Sequence, residues 1–275
     1  MKFYPKILII VTITFLLSLF ILYRISSNSL IAKPIFIAHA GGGINGLTYL
    51  NSLETINHNY KNGYKYFEMD FNWTSDNELV LIHDWKQTYK RLFNNDLEKP
   101  PKLDEFLSMK MNFNQTQLSL NQFAEWMREH PDTILIADVK SNNIEGLKKI
   151  IKTIESPFSR VIPQMYKLEE YELIKELGFK GQNIMFAMYK TMEINSEIIS
   201  FLENKKLLAI SVQPQKPYFD RILNKFGSRD LPIYTLTINN PEEFKELVNK
   251  GVDGAVTDYL YSNQNEFLSH KETVK

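Results

Sequence analysis

FEMDFNWTSDNELVLIHDW, residues 67–85, holds the pattern on which the fold turns. Both ends of the stretch are apolar, yet Glu68 and Asp70 stand two apart in the first half and His83 closes the second. In a strand, positions i and i+2 share a face, so Glu68 and Asp70 point the same way with Met69 opposite. Tyr66, Phe67 and Phe71 mark the element as buried. Two bare carboxylates side by side repel, and burial raises the cost. A divalent cation removes that cost, because hard cations take oxygen ligands. The other readings are direct acid–base work by the pair, as in glycosidases, and two surface acids on an edge strand.

Outward from this stretch the chain alternates short β-rich runs with amphipathic helical runs. The runs at 35–39, 66–71, 79–83, 133–139, 161–166, 183–189, 207–213, 233–238 and 254–258 predict strands. Those at 52–62, 119–129, 143–155, 168–177, 194–205 and 241–250 predict helices. Asn240-Pro241-Glu242-Glu243 supplies a cap, a proline at the first helical position and acids in the first turn; Gly251 supplies the stop. Strand–helix alternation predicts an α/β fold with a parallel sheet. Residues 34–275 match the roughly 250 residues of a (β/α)8 TIM barrel. Nine strand-like segments compete for eight places, and residues 72–78 are too few for a helical crossover. Either one segment lies off the barrel or this junction is irregular. The polar connection 86–115, with Pro100-Pro101, is long enough to be functional or mobile.

Other strand ends add chemistry. The run 35–38 ends in His39, followed by Gly41-Gly42-Gly43; 79–82 ends in His83-Asp84; 134–137 ends in Asp138 and Lys140, again two apart. In parallel barrels, strand C-terminal ends converge on one face. The glycines either let backbone approach a phosphate or simply turn the chain. Trp85 lines the pocket or packs in the core, and Asp84 orients a histidine or caps the next segment. Gln164 and Tyr166 share a strand face, as do Gln213 and Gln215, and can hydrogen-bond a substrate. His58, His130 and His270 are expected at the surface.

The 275 residues carry a formal net charge of +0, which argues against a nucleic-acid partner. There is no cysteine, hence no disulfide, thiolate nucleophile or cysteine-based zinc site. Residues 7–23, ILIIVTITFLLSLFILY, carry no charge, with Lys2 and Lys6 before them and Arg24 after. At 1.5 Å per residue they reach roughly 26 Å, close to a bilayer core. This predicts one N-terminal transmembrane helix, a signal anchor within 1–25, then a linker at 26–33 and the barrel domain at 34–275. The two lysines place the N-terminus inside and the barrel outside the cytoplasm, as a single-pass protein of the cell membrane. A secreted form after signal cleavage is the alternative.

The order His39-Ala40-Gly41, Asn51, Glu68-Met69-Asp70, Thr74-x-Asp76 and Leu79-Val80-Leu81-Ile82-His83-Asp84 resembles the glycerophosphodiester phosphodiesterase family. Thr237-Ile238-Asn239 and Gly251-Val252-Asp253-Gly254-Ala255-Val256-Thr257-Asp258 are similar to that family's closing pattern. The resemblance implies one divalent cation, Mg or Ca, on Glu68, Asp70 and Asp138. It implies His39 and His83 as paired general acid and base, Lys140 on the phosphate, and Gly41, Asn51 and Trp85 about the pocket. The substrate implied is a small-molecule or lipid phosphodiester. Where the family pattern has an arginine, an acid and a glutamate, this chain has Ala40, Leu50 and Asp138. These departures describe a divergent subfamily with a different leaving group. The alternative is a lapsed enzyme, a non-catalytic membrane-anchored barrel that only binds.

Overall fold

The computed structural model describes residues 35–263 and 266–270, all within one compact unit, Lys33–Lys275. The membrane span expected at 7–23 and the linker after it lie outside the described residues. Among the described residues no helix is long and apolar enough to cross a membrane.

Eight parallel strands close into a barrel: β1 (Phe36–Ala38), β2 (Tyr66–Trp73), β4 (Ile134–Val139), β5 (Val161–Met165), β6 (Met185–Ala187), β7 (Ala209–Val212), β8 (Ile233–Leu236) and β9 (Gly254–Thr257). β1 pairs with both β9 and β2, which closes the ring. The ninth segment, β3 (Leu79–Leu81), lies off the barrel. It runs antiparallel to β2, with Phe71 opposite Leu81 and Trp73 opposite Leu79. The turn between them is short because a hairpin, unlike a crossover, needs only a few residues. The other edge of β3 is covered too: Val80 bridges to Ser119, and the Leu81 amide donates to the Leu118 carbonyl.

Helices α1 (Leu53–Lys61), α4 (Leu120–Glu129), α5 (Asn143–Thr153), α7 (Glu170–Glu176), α8 (Ser196–Asn204) and α10 (Pro241–Asn249) fall where the periodicity places them. Ser52, Ser119, Asn195 and Asn240 cap their helices with side-chain oxygens. The connection 86–115 is folded, with α2 (Gln87–Phe93), α3 (Leu103–Ser108) and a 3-10 turn at Asn112–Asn114. Tyr89 and Phe106 pack there against Val80 and Ile82, giving the hairpin its own small core. A one-turn helix, α6 (Pro157–Arg160), precedes β5. The sequence reading omits α9 (Phe219–Phe226), although Phe219, Ile222, Leu223 and Phe226 are spaced i, i+3, i+4, i+7 and all buried. After β9 the chain forms an antiparallel hairpin, β10 (Leu260–Asn263) and β11 (Glu266–Ser269). Phe267 of this hairpin meets Phe244 of α10, ring centroids 4.8 Å apart.

Candidate active site

The β2–β4 register sets Asp70 directly opposite Asp138 and Glu68 opposite Ile136. Glu68, Asp70 and Asp138 are buried, and each offers an oxygen within 4.8 Å of the others. Every carboxylate is held. Asn51, in a left-handed backbone conformation that asparagine tolerates, donates Nδ2 to Asp70 Oδ2 at 2.7 Å and accepts the Asp70 amide at 3.0 Å. Glu68 Oε2 accepts the Ala40 amide at 2.9 Å. Asp138 accepts from the hydroxyls of Tyr166 (2.5 Å) and Tyr189 (2.9 Å). Lys140, on the same face as Asp138, pairs with Asp138 Oδ2 at 2.8 Å and with Asp70 Oδ1.

Three carboxylates facing one ammonium leave negative charge in a buried place. Burial, then the Asp70 charge, raises the Glu68 carboxyl to about 8. Burial pushes Asp70 the same way, but Lys140, His83 and His39 reverse it and Asp70 ends below the usual carboxylate range. Buried carboxylates that repel one another suit a divalent ion with oxygen ligands. The acidic cluster can therefore hold a metal ion.

The two histidines are built alike. His39, in a 3-10 turn after β1, donates Nδ1 to Asp258 Oδ1 at 2.9 Å. Asp258 Oδ2 accepts Asn239 Nδ2 at 2.7 Å, and Asn239 Oδ1 accepts the Asp258 amide at 2.8 Å. Burial lowers the His39 imidazole, but the Asp258 hydrogen bond and charge, with Glu68 and Asp70 behind, raise it to about 9. His83, after β3, donates Nδ1 to Asp84 Oδ2 at 2.9 Å. Asp84 has both of its expected roles, since it also accepts the Lys86 and Thr88 amides at the start of α2 and the Thr88 hydroxyl at 2.6 Å. In both residues Nε2 is left as the working ring nitrogen. Between the rings stands Tyr49, edge-on to each, with centroids 4.3 Å from His39 and 5.2 Å from His83. Arg91 of α2 fixes that loop by donating to the Thr48 and Tyr49 carbonyls at 2.9 and 3.0 Å.

His39, Glu68, Asp70, His83, Asp138 and Lys140 all line one cavity of about 120 Å³ at the C-terminal end of the barrel strands, joined by Tyr49, Gln164, Tyr189, Ser211 and Gln213. Three residues expected about the pocket are not among its lining. Asn51 stands behind Asp70. Gly41 packs on Ile56 with its carbonyl on Asn59, and the Gly42 and Gly43 amides are spent on the His39 and Asp258 carbonyls, so this run is a turn. Trp85 joins the aromatic core of Tyr89 and Phe106. His58, His130 and His270 are half-buried rather than exposed, away from the cavity. Asp258, which ends the run 254–258 as the other acids end theirs, joins the site through His39. Tyr49, Tyr189 and Ser211 carried no such signal.

Solved structures share this architecture. A glycerophosphodiester phosphodiesterase from Thermotoga maritima superposes with a TM-score of 0.63 at 21% identity, covering 82% of this chain and 95% of that one. One from Parabacteroides distasonis gives 0.60 at 17%, over 82% and 94%. A phosphodiesterase from Oleispira antarctica, solved with its product sn-glycerol-3-phosphate, gives 0.66 at 16%, over 82% and 93%. The sequence itself matches the glycerophosphoryl diester phosphodiesterase family over residues 43–261. With the barrel, the acidic cluster and the paired histidines on one cavity, the chain belongs to the glycerophosphoryl diester phosphodiesterase family of phosphoric diester hydrolases.

Proposed function

We propose that the protein is a metal-dependent phosphodiester hydrolase, held to the cell membrane by residues 7–23 with its barrel outside the cytoplasm. Its substrate is a glycerophosphodiester or a related lipid or envelope phosphodiester. The observation that carries this reading is the meeting of six ionisable side chains on one cavity.

Glu68, Asp70 and Asp138 would hold one Mg or Ca ion, which when bound offsets charge on the phosphate oxygens. Lys140 adds an ammonium at the same wall. Burial opposes its charge, but Asp70 and Asp138 hold it protonated well above the usual lysine range. It can therefore stabilise added negative charge at phosphorus. His39, kept protonated at neutral pH by Asp258, is the general acid that delivers a proton from Nε2 to the departing oxygen. His83, nearer the rim, is the base that takes the proton of the attacking hydroxyl or water at its Nε2. Asp84 fixes its tautomer by holding Nδ1.

The test is the full chain in detergent, assayed with glycerophosphodiesters with and without chelator. We expect activity that chelator abolishes and Mg or Ca restores, and that Glu68→Ala does not show. Activity indifferent to chelator would defeat the metal mechanism. A rate equal to that of the His39→Ala/His83→Ala double variant would return the protein to the class of binding proteins.

A further inference from the structure

Tyr49 lines the reaction cavity from a loop, and its backbone is strained. Its φ is 55°, in the left-handed region that a tyrosine rarely adopts. Such strain persists only where the surroundings over-determine it, and here they do. Arg91 of α2 holds the Thr48 and Tyr49 carbonyls. The next residue, Leu50, is buried with Leu92 and Met111. Asn51 donates its amide to the Ala40 carbonyl at 3.0 Å and its side chain to Asp70. The Tyr49 hydroxyl itself pairs with the side chain of Thr237, just after β8.

All this holds one half-buried ring against both imidazoles, at 83° to His39 and 90° to His83. Each imidazole spends its Nδ1 on its own carboxylate, Asp258 or Asp84. A ring fastened at one corner can still swing, and a flat neighbour on its flank stops it. The swing matters here because attacking and leaving oxygens lie roughly in line through phosphorus. The base and the acid must therefore reach opposite sides of one atom, and their separation is part of the chemistry.

We propose that Tyr49 is a positioning residue for hydrolysis, its ring setting the separation and tilt of the two imidazoles. His83 Nε2 then takes the proton of the attacking oxygen as one P–O bond forms, and His39 Nε2 gives a proton to the departing oxygen as the other breaks. The inference rests on the phosphodiesterase reading above.

Steady-state kinetics on the full chain in detergent, with Ca or Mg present, test this with two esters of sn-glycerol 3-phosphate. The methyl ester expels an alkoxide that needs a proton; the 4-nitrophenyl ester expels a nitrophenolate that does not. Tyr49→Gly removes the ring and accepts the left-handed backbone without strain, so the loop keeps its path. It should cut kcat about 10²-fold for the methyl ester and no more than about tenfold for the nitrophenyl ester, with KM within about threefold for both. Tyr49→Phe keeps the ring and should restore most of the lost kcat. Calcium affinity, read by calorimetry, should stay within about threefold of wild type in both variants. Equal losses of kcat on the two esters, or a matching loss of calcium affinity, would make the tyrosine packing alone and overturn the proposal. So would a glycine variant as fast as the wild type, or a phenylalanine variant as slow as the glycine one. The two readings fail distinguishably. A wild type inactive on both esters sinks hydrolysis and this role with it, whereas an active wild type with equal losses sinks the positioning role alone.

Discussion

Asp258 decides the charge on His39. With its carboxylate gone, burial is left as the largest influence on the ring, and it lowers the imidazole. Asp258→Asn should therefore move the His39 limb of the kcat/KM pH profile to lower pH and cut kcat/KM at neutral pH by about 10²–10⁴. An unmoved limb would show that the acid is another group. Stability without metal has a definite slope as well. Glu68 is raised from 4.5 to about 8 and His39 from 6.5 to about 9, so the folded state binds more protons than the unfolded one across both windows. Their stabilisation is present below about 4.5 and 6.5 respectively and is lost as pH rises through 8 and 9. Each group should lower stability as pH rises across its window. In chelator, Tm should fall from pH 5 to 9, and saturating Ca or Mg should flatten that fall by keeping Glu68 ionised. Equal slopes with and without metal would place the ion elsewhere. At this scale the sequence was most legible for acids and histidines that end apolar runs, because strand periodicity fixes which way they face. It was least legible for Tyr49, whose place depends on a loop held from a distance by Arg91.

At the scale of elements, Gly146 shows packing overruling propensity. Alanine is the better helix former by up to about 1 kcal/mol. Yet a Cβ at Gly146 would lie 2.6 Å from Val139 Cγ1, on the strand that carries Asp138. Gly146→Ala should destabilise by roughly 1–3 kcal/mol in a denaturant titration, since the helix must back away from the sheet. A gain in stability would mean that α5 is free to shift. The Asn240 cap accepts the Glu242 and Glu243 amides at 2.9 and 3.1 Å, and Asn240→Ala should cost about 1 kcal/mol by the same measure. Capping and periodicity made six helices readable in advance. Helix α9 is equally periodic and, like α5 and α7, has no side-chain cap, so its omission rests on its short length and not on the missing cap. The helices in 86–115 are short and mixed in polarity, and they are stabilised by burial against Val80, Ile82 and Leu50 and by Asp84 at the start of α2.

For the whole molecule, alternation of element types predicted a parallel sheet, open or closed, because few architectures cover both faces of such a sheet, and the length of 34–275 pointed to the closed one. The excess strand was countable in the sequence but not assignable, since hairpin and irregular junction look alike until the pairing is known. Membrane attachment is tested by fusing a periplasm-dependent phosphatase after Lys275 in a bacterial host. We expect activity in the membrane fraction, and an inactive fusion would reverse the orientation.

The hairpin placement of β3 has a consequence for how such a catalyst can change. The ring of parallel strands and their C-terminal ends carry the three acids, the ammonium and one imidazole, so these move together or not at all. The second imidazole follows an antiparallel strand paired to β2, whose outer face has its own aromatic filling, while the Ile82 amide donates to the Asp70 carbonyl. Grafting a relative's segment 79–117 that keeps His83 and the Ile82 amide contact to Asp70 should retune the rate of turnover, letting a lineage explore new leaving groups without dismantling the acidic cluster.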